Sequence, residues 1–210
     1  MISFKLFESH QDIHDLCNNY DIKNYTINDD GSVSVDSGVN LNNKQLAEIP
    51  IPFKEVDGDF YCGNNQLTSL KGCPETVGGN FYCGYNQLTS LKYCPETVGG
   101  DFSCSENQLT SLEYCPEIVG GNFYCNDNQL TNFDGLPEFF EQDIYLYRNP
   151  VYEIYDLFRY DPRCIYWLRE YDVIRGNIVI RDRLEEVLHT LDMNIPDNLE
   201  QLLGPYYLIQ

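Results

Sequence analysis

Cysteine is the residue type in this chain that first suggests chemistry, and its spacing argues against it. Cys62, Cys83, Cys104 and Cys125 advance by 21 residues, as do Cys73, Cys94 and Cys115. Structural zinc takes cysteine pairs about two to four residues apart, whereas neighbouring thiols here have nine or ten residues between them. A thiol at such regular positions is expected to serve as a small buried hydrophobe. His10 and His14 stand four apart on a predicted helix. Without a third ligand at a matching spacing they are expected to face solvent rather than a metal. His189 has no serine or cysteine that the sequence sets beside it. Cys164 follows Arg163, whose charge would favour a thiolate, yet a half-buried thiol on a helix is the simpler account. No catalytic residue, metal ligand or cofactor is expected.

The cysteines belong to a larger pattern. Between Asp59 and Gln142 one phrase of 21 residues occurs four times, and its second copy, from Asn80 to Gly100, reads NFYCGYNQLTSLKYCPETVGG. A worn copy from Gly38 keeps Val39, Leu41, Gln45, Leu46, Ile49 and Val56 in register, and a partial one continues through Ile144, Leu146, Asn149, Val151 and Ile154. A fixed short period means a solenoid, in which each coil buries its apolar edge by stacking on its neighbours. Phe60 and Cys62 alternate with Asp59, Tyr61 and Gly63, which predicts a strand with Phe and Cys inward. Asn65, Asn86, Asn107 and Asn128 follow at the turn, where inward amides can satisfy backbone groups of two coils. Leu67 and Leu70, with their copies, point back inside. Pro after Cys73, Cys94 and Cys115 predicts extended chain without helix, and the pairs Gly78-Gly79, Gly99-Gly100 and Gly120-Gly121 are expected to permit the bend back into the strand.

The core of each copy, FxCxxNxLxxL, resembles the second half of the leucine-rich repeat signature with Cys in place of a Leu. More narrowly, NxLTSLxxCPE is similar to the short repeats of bacterial effector proteins. That resemblance implies a strand on the concave side and extended chain, with little helix, on the convex side. The flanks QDIHDLC, NPVYEIYDLF and EYDVIRGNIVIRDRLEEV resemble uncharacterised repeat proteins of tailed phages and large DNA viruses. Some bacterial effectors of this repeat type carry a ubiquitin ligase domain with a catalytic cysteine. Here Cys164-Ile165-Tyr166 lacks the Asp that follows that cysteine by two positions, and residues 151–210 are far too few for such a domain.

The outward positions are the candidate site. One column holds Asn40, Tyr61, Tyr82, Ser103, Tyr124 and Tyr145; beside it run Asp59, Asn80, Asp101, Asn122 and Asp143, and on the other side Asn64, Tyr85, Glu106, Asp127 and Arg148. A tyrosine wall bordered by carboxylates has the composition of a protein-binding face. The same column can equally be a cross-strand ladder that stabilises the sheet, and it can do both.

With 33 acidic and 13 basic residues the net charge is −20. Nucleic acid phosphates and anionic membranes are therefore not expected partners; a protein with a basic surface is. Residues 1–10 lack the basic start and apolar run of a signal peptide, and the cysteines sit on the repeat register. Nine free thiols in a reducing host cytoplasm are expected.

The organisation expected is residues 1–37 as an N-terminal helix (9–19, capped by Ser9) and hairpin (25–27 and 32–35), 38–150 as the solenoid of about six rungs, and 151–210 as a small helical cap domain. In the last, helices are predicted at 151–160, 163–171 after the Asp161-Pro162 start, 179–191, and 197–203 with Asp197 as cap. The apolar tail 205–209 is expected to pack across those helices. The fold class is thus an α/β solenoid of the leucine-rich repeat kind, mostly parallel strands with little convex helix. The function expected is a non-enzymatic, virus-encoded protein-binding module that inhibits a host defence or regulatory protein. The alternatives are an acidic mimic of nucleic acid and an enzyme using the C-terminal helices.

Overall fold

The computed structural model describes residues 10–136, 142–158 and 163–210. Its body is a solenoid with two six-stranded sheets rather than one. The expected sheet consists of β3 (Val39–Asn40), β5 (Phe60–Tyr61), β7 (Phe81–Tyr82), β9 (Phe102–Ser103), β11 (Phe123–Tyr124) and β12 (Ile144–Tyr145), in that spatial order. All are parallel, and each residue pairs with the one 21 further on, as Phe60 does with Phe81. Six rungs here enclose five turns of chain.

The second sheet is not expected from the sequence. It joins β4 (Phe53–Val56), β6 (Thr76–Val77), β8 (Thr97–Val98) and β10 (Ile118–Val119), in parallel, to the antiparallel hairpin β1 (Tyr25–Ile27) and β2 (Val33–Val35). The sequence predicts no more than extended chain after each Pro. Instead Glu75 donates its N–H to the Lys54 carbonyl and Glu96 to that of Glu75, both at 2.8 Å. The β-branched Thr and Val that follow fit a pleated surface, with Val77, Val98 and Val119 buried.

Between the sheets lies a layered core. Phe60, Phe81 and Phe102 stack at centroid spacings of 5.7 and 5.8 Å, and Phe102 meets Phe123 at 4.9 Å. Leu67, Leu88, Leu109 and Leu130 are buried in the next column, and none of the nine cysteines is joined in a disulfide. Burial pushes the Cys73, Cys83, Cys94, Cys104 and Cys125 thiols well up, and that of Cys115 to about 12. The buried asparagines stitch the coils. Asn86 Nδ2 donates to the carbonyls of Cys62 in the preceding coil and Cys83 in its own, and its Oδ1 accepts the Leu67 N–H, all at 3.0 Å. Asn107, Asn128 and Asn149 repeat the arrangement.

The glycine pairs have a different reason from the one expected. None of the six has a positive φ, so the bend does not need them for conformational freedom. A Cβ at Gly99 would overlap the Gly78 carbonyl oxygen, and one at Gly100 the Asn80 side-chain oxygen. They are glycine because adjacent coils touch there. Gly63, expected outward, is also buried under the next coil.

At the start, α1 (His10–Asn19) buries Ile13 and Cys17 against the first coil. The expected Ser9 cap and the Asp161-Pro162 helix start lie outside the described residues. After the solenoid come α2 (Tyr152–Leu157), α3 (Arg163–Glu170), α4 (Arg181–Thr190) and α5 (Leu199–Leu203). Between α3 and α4 runs an unexpected hairpin, β13 (Ile174–Arg175) and β14 (Ile178–Val179), turning at Gly176 with φ +60. The tail also does something not expected of it: β15 (Leu208–Ile209) adds a parallel strand to β14, and Tyr207 before it is buried. Helix α5 starts from Asn198 with no side-chain cap, so Asp197 does not have the expected role. Among the described residues no helix is long and apolar enough to cross a membrane.

Candidate binding face

Strands only two residues long put one outward side chain per rung on the first sheet, and the 21-residue register aligns those side chains into columns. In the central column Tyr61 stacks on Tyr82 at 5.1 Å and 22°, and Tyr124 on Tyr145 at 4.6 Å and 11°. Ser103 separates the two pairs. All four rings are half-buried, so each keeps an exposed flank. The Tyr61 hydroxyl donates to Asp59 Oδ2 at 2.6 Å, and that bond to a carboxylate raises its pKa. Tyr82 and Tyr124 are raised first by burial and then by the charge of Asp101.

The Asp/Asn column proves to be part of the scaffold as well as of the face. Asp59 Oδ1 accepts the Asn80 N–H, Asn80 Oδ1 that of Asp101, and Asp101 Oδ1 that of Asn122, at 2.7, 2.7 and 2.8 Å. Between Asn122 and Asp143 the bond is the weaker 3.2 Å version, with Asn122 Oδ1 accepting the Asp143 N–H. Asp59 is thereby used twice, whereas Asp101 Oδ2 has no hydrogen-bond partner among the described residues.

The third column does not lie on the strand. Asn64, Tyr85, Glu106, Asp127 and Arg148 are left-handed, with φ between 53 and 56. They form the corner at which the chain leaves the sheet just before each inward Asn, half-buried at Asn65 and buried at Asn86, Asn107, Asn128 and Asn149. Tyr85 is 63% exposed there. Arg148 pairs with Asp127 at 2.9 Å, so the acidity of this edge is partly neutralised at one end.

Of the histidines, His14 is engaged by a neighbour: its Nδ1 lies 2.6 Å from the Tyr25 hydroxyl. Among the described residues no group of three His, Cys, Asp or Glu is placed to bind a metal. Cys164 is buried. A concavity that the sequence does not announce opens beyond the last rung, where Tyr147, Arg148, Tyr152, Glu153 and Tyr206 meet. Tyr206 arrives there from the C-terminal tail, held nearby by the 2.8 Å bond from the Tyr207 hydroxyl to the Thr131 carbonyl. No spacing in the sequence signals that meeting. No protein-family model matches this chain, and neither a curated protein nor a solved structure matches it.

Proposed function

We propose that this chain is a non-enzymatic, virus-encoded protein-binding module of the leucine-rich repeat kind, whose tyrosine face occupies a host defence or regulatory protein in the host cytoplasm. The observation that carries the binding reading is the two stacked pairs, Tyr61 on Tyr82 and Tyr124 on Tyr145, half-exposed on one sheet. Rings already held by stacking lose little freedom when a partner covers them, which makes contact area more effective. The carboxylates of Asp59, Asp101, Glu106, Asp127 and Asp143 border those rings, and the net charge of −20 steers a basic partner toward them. The viral lineage and the inhibitory role rest on the resemblance of repeats and flanks alone.

The test begins with a pull-down from host lysate and mass spectrometry to name the partner. Tyr82→Ala combined with Tyr124→Ala should then remove most binding at moderate salt, while Glu75→Gln with Glu96→Gln, on the second sheet's side, should leave it unchanged. A nucleic acid mimic would act through summed charge and weaken steeply with salt, over a screening length of about 8–10 Å. Tolerated tyrosine losses together with binding that vanishes as salt rises would replace the present reading with the mimic.

A further inference from the structure

The tyrosine column is interrupted at one rung, and the interruption removes two things together. In the Asp59 rung, Tyr61 supplies a ring to the stack and a hydroxyl hydrogen to Asp59 Oδ2. In the Asp101 rung, Ser103 supplies no ring, and among the described residues only Asp101 Oδ1 is engaged, by the backbone and side chain of Asn122. Tyr82 and Tyr124 therefore flank a slot and stand on strands two spacings apart, about 9–10 Å. One flat group placed midway would continue the stack at the spacing the existing pairs have. The floor of the slot is Ser103, and Asp101, two residues before it, has an Oδ2 that accepts no hydrogen bond among the described residues. Arg148, two rungs along on the edge column, is committed to Asp127.

We infer that this slot receives the guanidinium of an arginine from the partner protein, sandwiched between Tyr82 and Tyr124 and hydrogen-bonded to Asp101. The inference rests on the protein-binding reading of this face and adds the chemistry of its anchor. Arginine is flat, carries donors in the plane of its fork and stacks on aromatic faces, whereas lysine is a compact point charge. A tyrosine from a partner would be flat too, but only a cation complements the surrounding carboxylates and the −20 charge of the chain.

The experiment needs no identified partner. N-acetyl-arginine methylamide, with the lysine and tyrosine analogues as controls, is titrated into the full chain while the tyrosine ring signals are followed by NMR. The arginine probe should shift the Tyr82 and Tyr124 rings first, have its own guanidinium signals moved upfield, and bind more tightly than either control. Ser103→Tyr closes the slot with the residue that four other rungs already accommodate, so it should fold. It should lose about tenfold in affinity for the probe, the factor carried by two exposed cation–π faces. Asp101→Asn places at this rung the residue that Asn80 and Asn122 already hold in theirs, so it should fold and bind the probe several-fold more weakly. Equal binding to Ser103→Tyr, a preference for the lysine or tyrosine probe, or unshifted Tyr82 and Tyr124 rings would each overturn the inference. The face reading fails separately: it falls if the captured partner tolerates Tyr82→Ala with Tyr124→Ala. It stands, with the slot refuted, if the partner requires those tyrosines yet binds Ser103→Tyr undiminished.

Discussion

Asn86 touches both its own coil and the one before it, and every polar atom of its side chain is used. Truncation to alanine would strand the buried Leu67 N–H together with the carbonyls its amide served. Each unsatisfied buried group costs about 1–3 kcal/mol, so Asn86→Ala should lose roughly 3 kcal/mol in urea unfolding. A loss under about 1 kcal/mol would mean that water replaces the amide and the stitching is dispensable. The thiols respond to pH. Burial holds Cys115 protonated up to about 12 against an ordinary 9.0, so the folded chain binds its proton more tightly than the unfolded one. The stability this contributes is complete below pH 9 and is lost as pH rises from 9 toward 12, at about 1.4 kcal/mol per pH unit. Cys73, Cys83, Cys94, Cys104 and Cys125 shift the same way. The urea midpoint should accordingly fall steeply between pH 9 and 11, and Cys115→Ala should make that fall shallower; a flat profile would contradict the burial of these sulfurs.

Where one coil crosses the next, backbone approaches backbone at Gly78, Gly99 and Gly120. Gly99→Ala would push a methyl group into the Gly78 carbonyl and force two coils apart. Its cost should reach at least about 3 kcal/mol, the upper end for an overpacked interior. Tyr82→Ala on the half-exposed face should lose only about 1 kcal/mol, the worth of a cross-strand pair. If the two variants unfold at the same urea concentration, the assignment of contact and surface is wrong. The same elements show what a sequence can disclose. The Phe-x-Cys strand and the buried Asn column are legible because each repeats with a side chain of fixed chemistry. The strands β6, β8 and β10 of the second sheet are not, since a Thr-Val or Ile-Val pair after each Pro and Glu shows no run of alternation and reads as extended chain. The left-handed corner is hidden as well: Tyr85, Glu106 and Arg148 share a φ with Asn64 and Asp127 that only the last two types hint at. The β13–β14 hairpin has a readable Gly176-Asn177 turn, but the apolar spacing from Val179 onward reads as helix and masks the strand before it.

Across the whole molecule, stability is a sum of coils and of the contacts between neighbours. Removing residues 80–100 joins Gly79 to Asp101 in register, and duplicating them adds a rung on both sheets. The shorter chain should fold with a lower urea midpoint and the longer one with a higher midpoint than the parent. Equal midpoints for all three would show that the end segments, not the coils, set the stability. The asparagine stitching also has a direction. Asn65 completes the turn at Leu41 and Leu46, Asn86 the one at Cys62 and Leu67, and so on to Asn149. Each turn is finished by residues that come after it. A chain leaving the ribosome N-terminus first therefore closes its turns in strict succession, one every one to four seconds at about 5–20 residues per second, and always trails a single unfinished turn at the growing end. Nascent chains arrested at successive lengths should show protease protection advancing in steps of one coil, each step following emergence of the next asparagine.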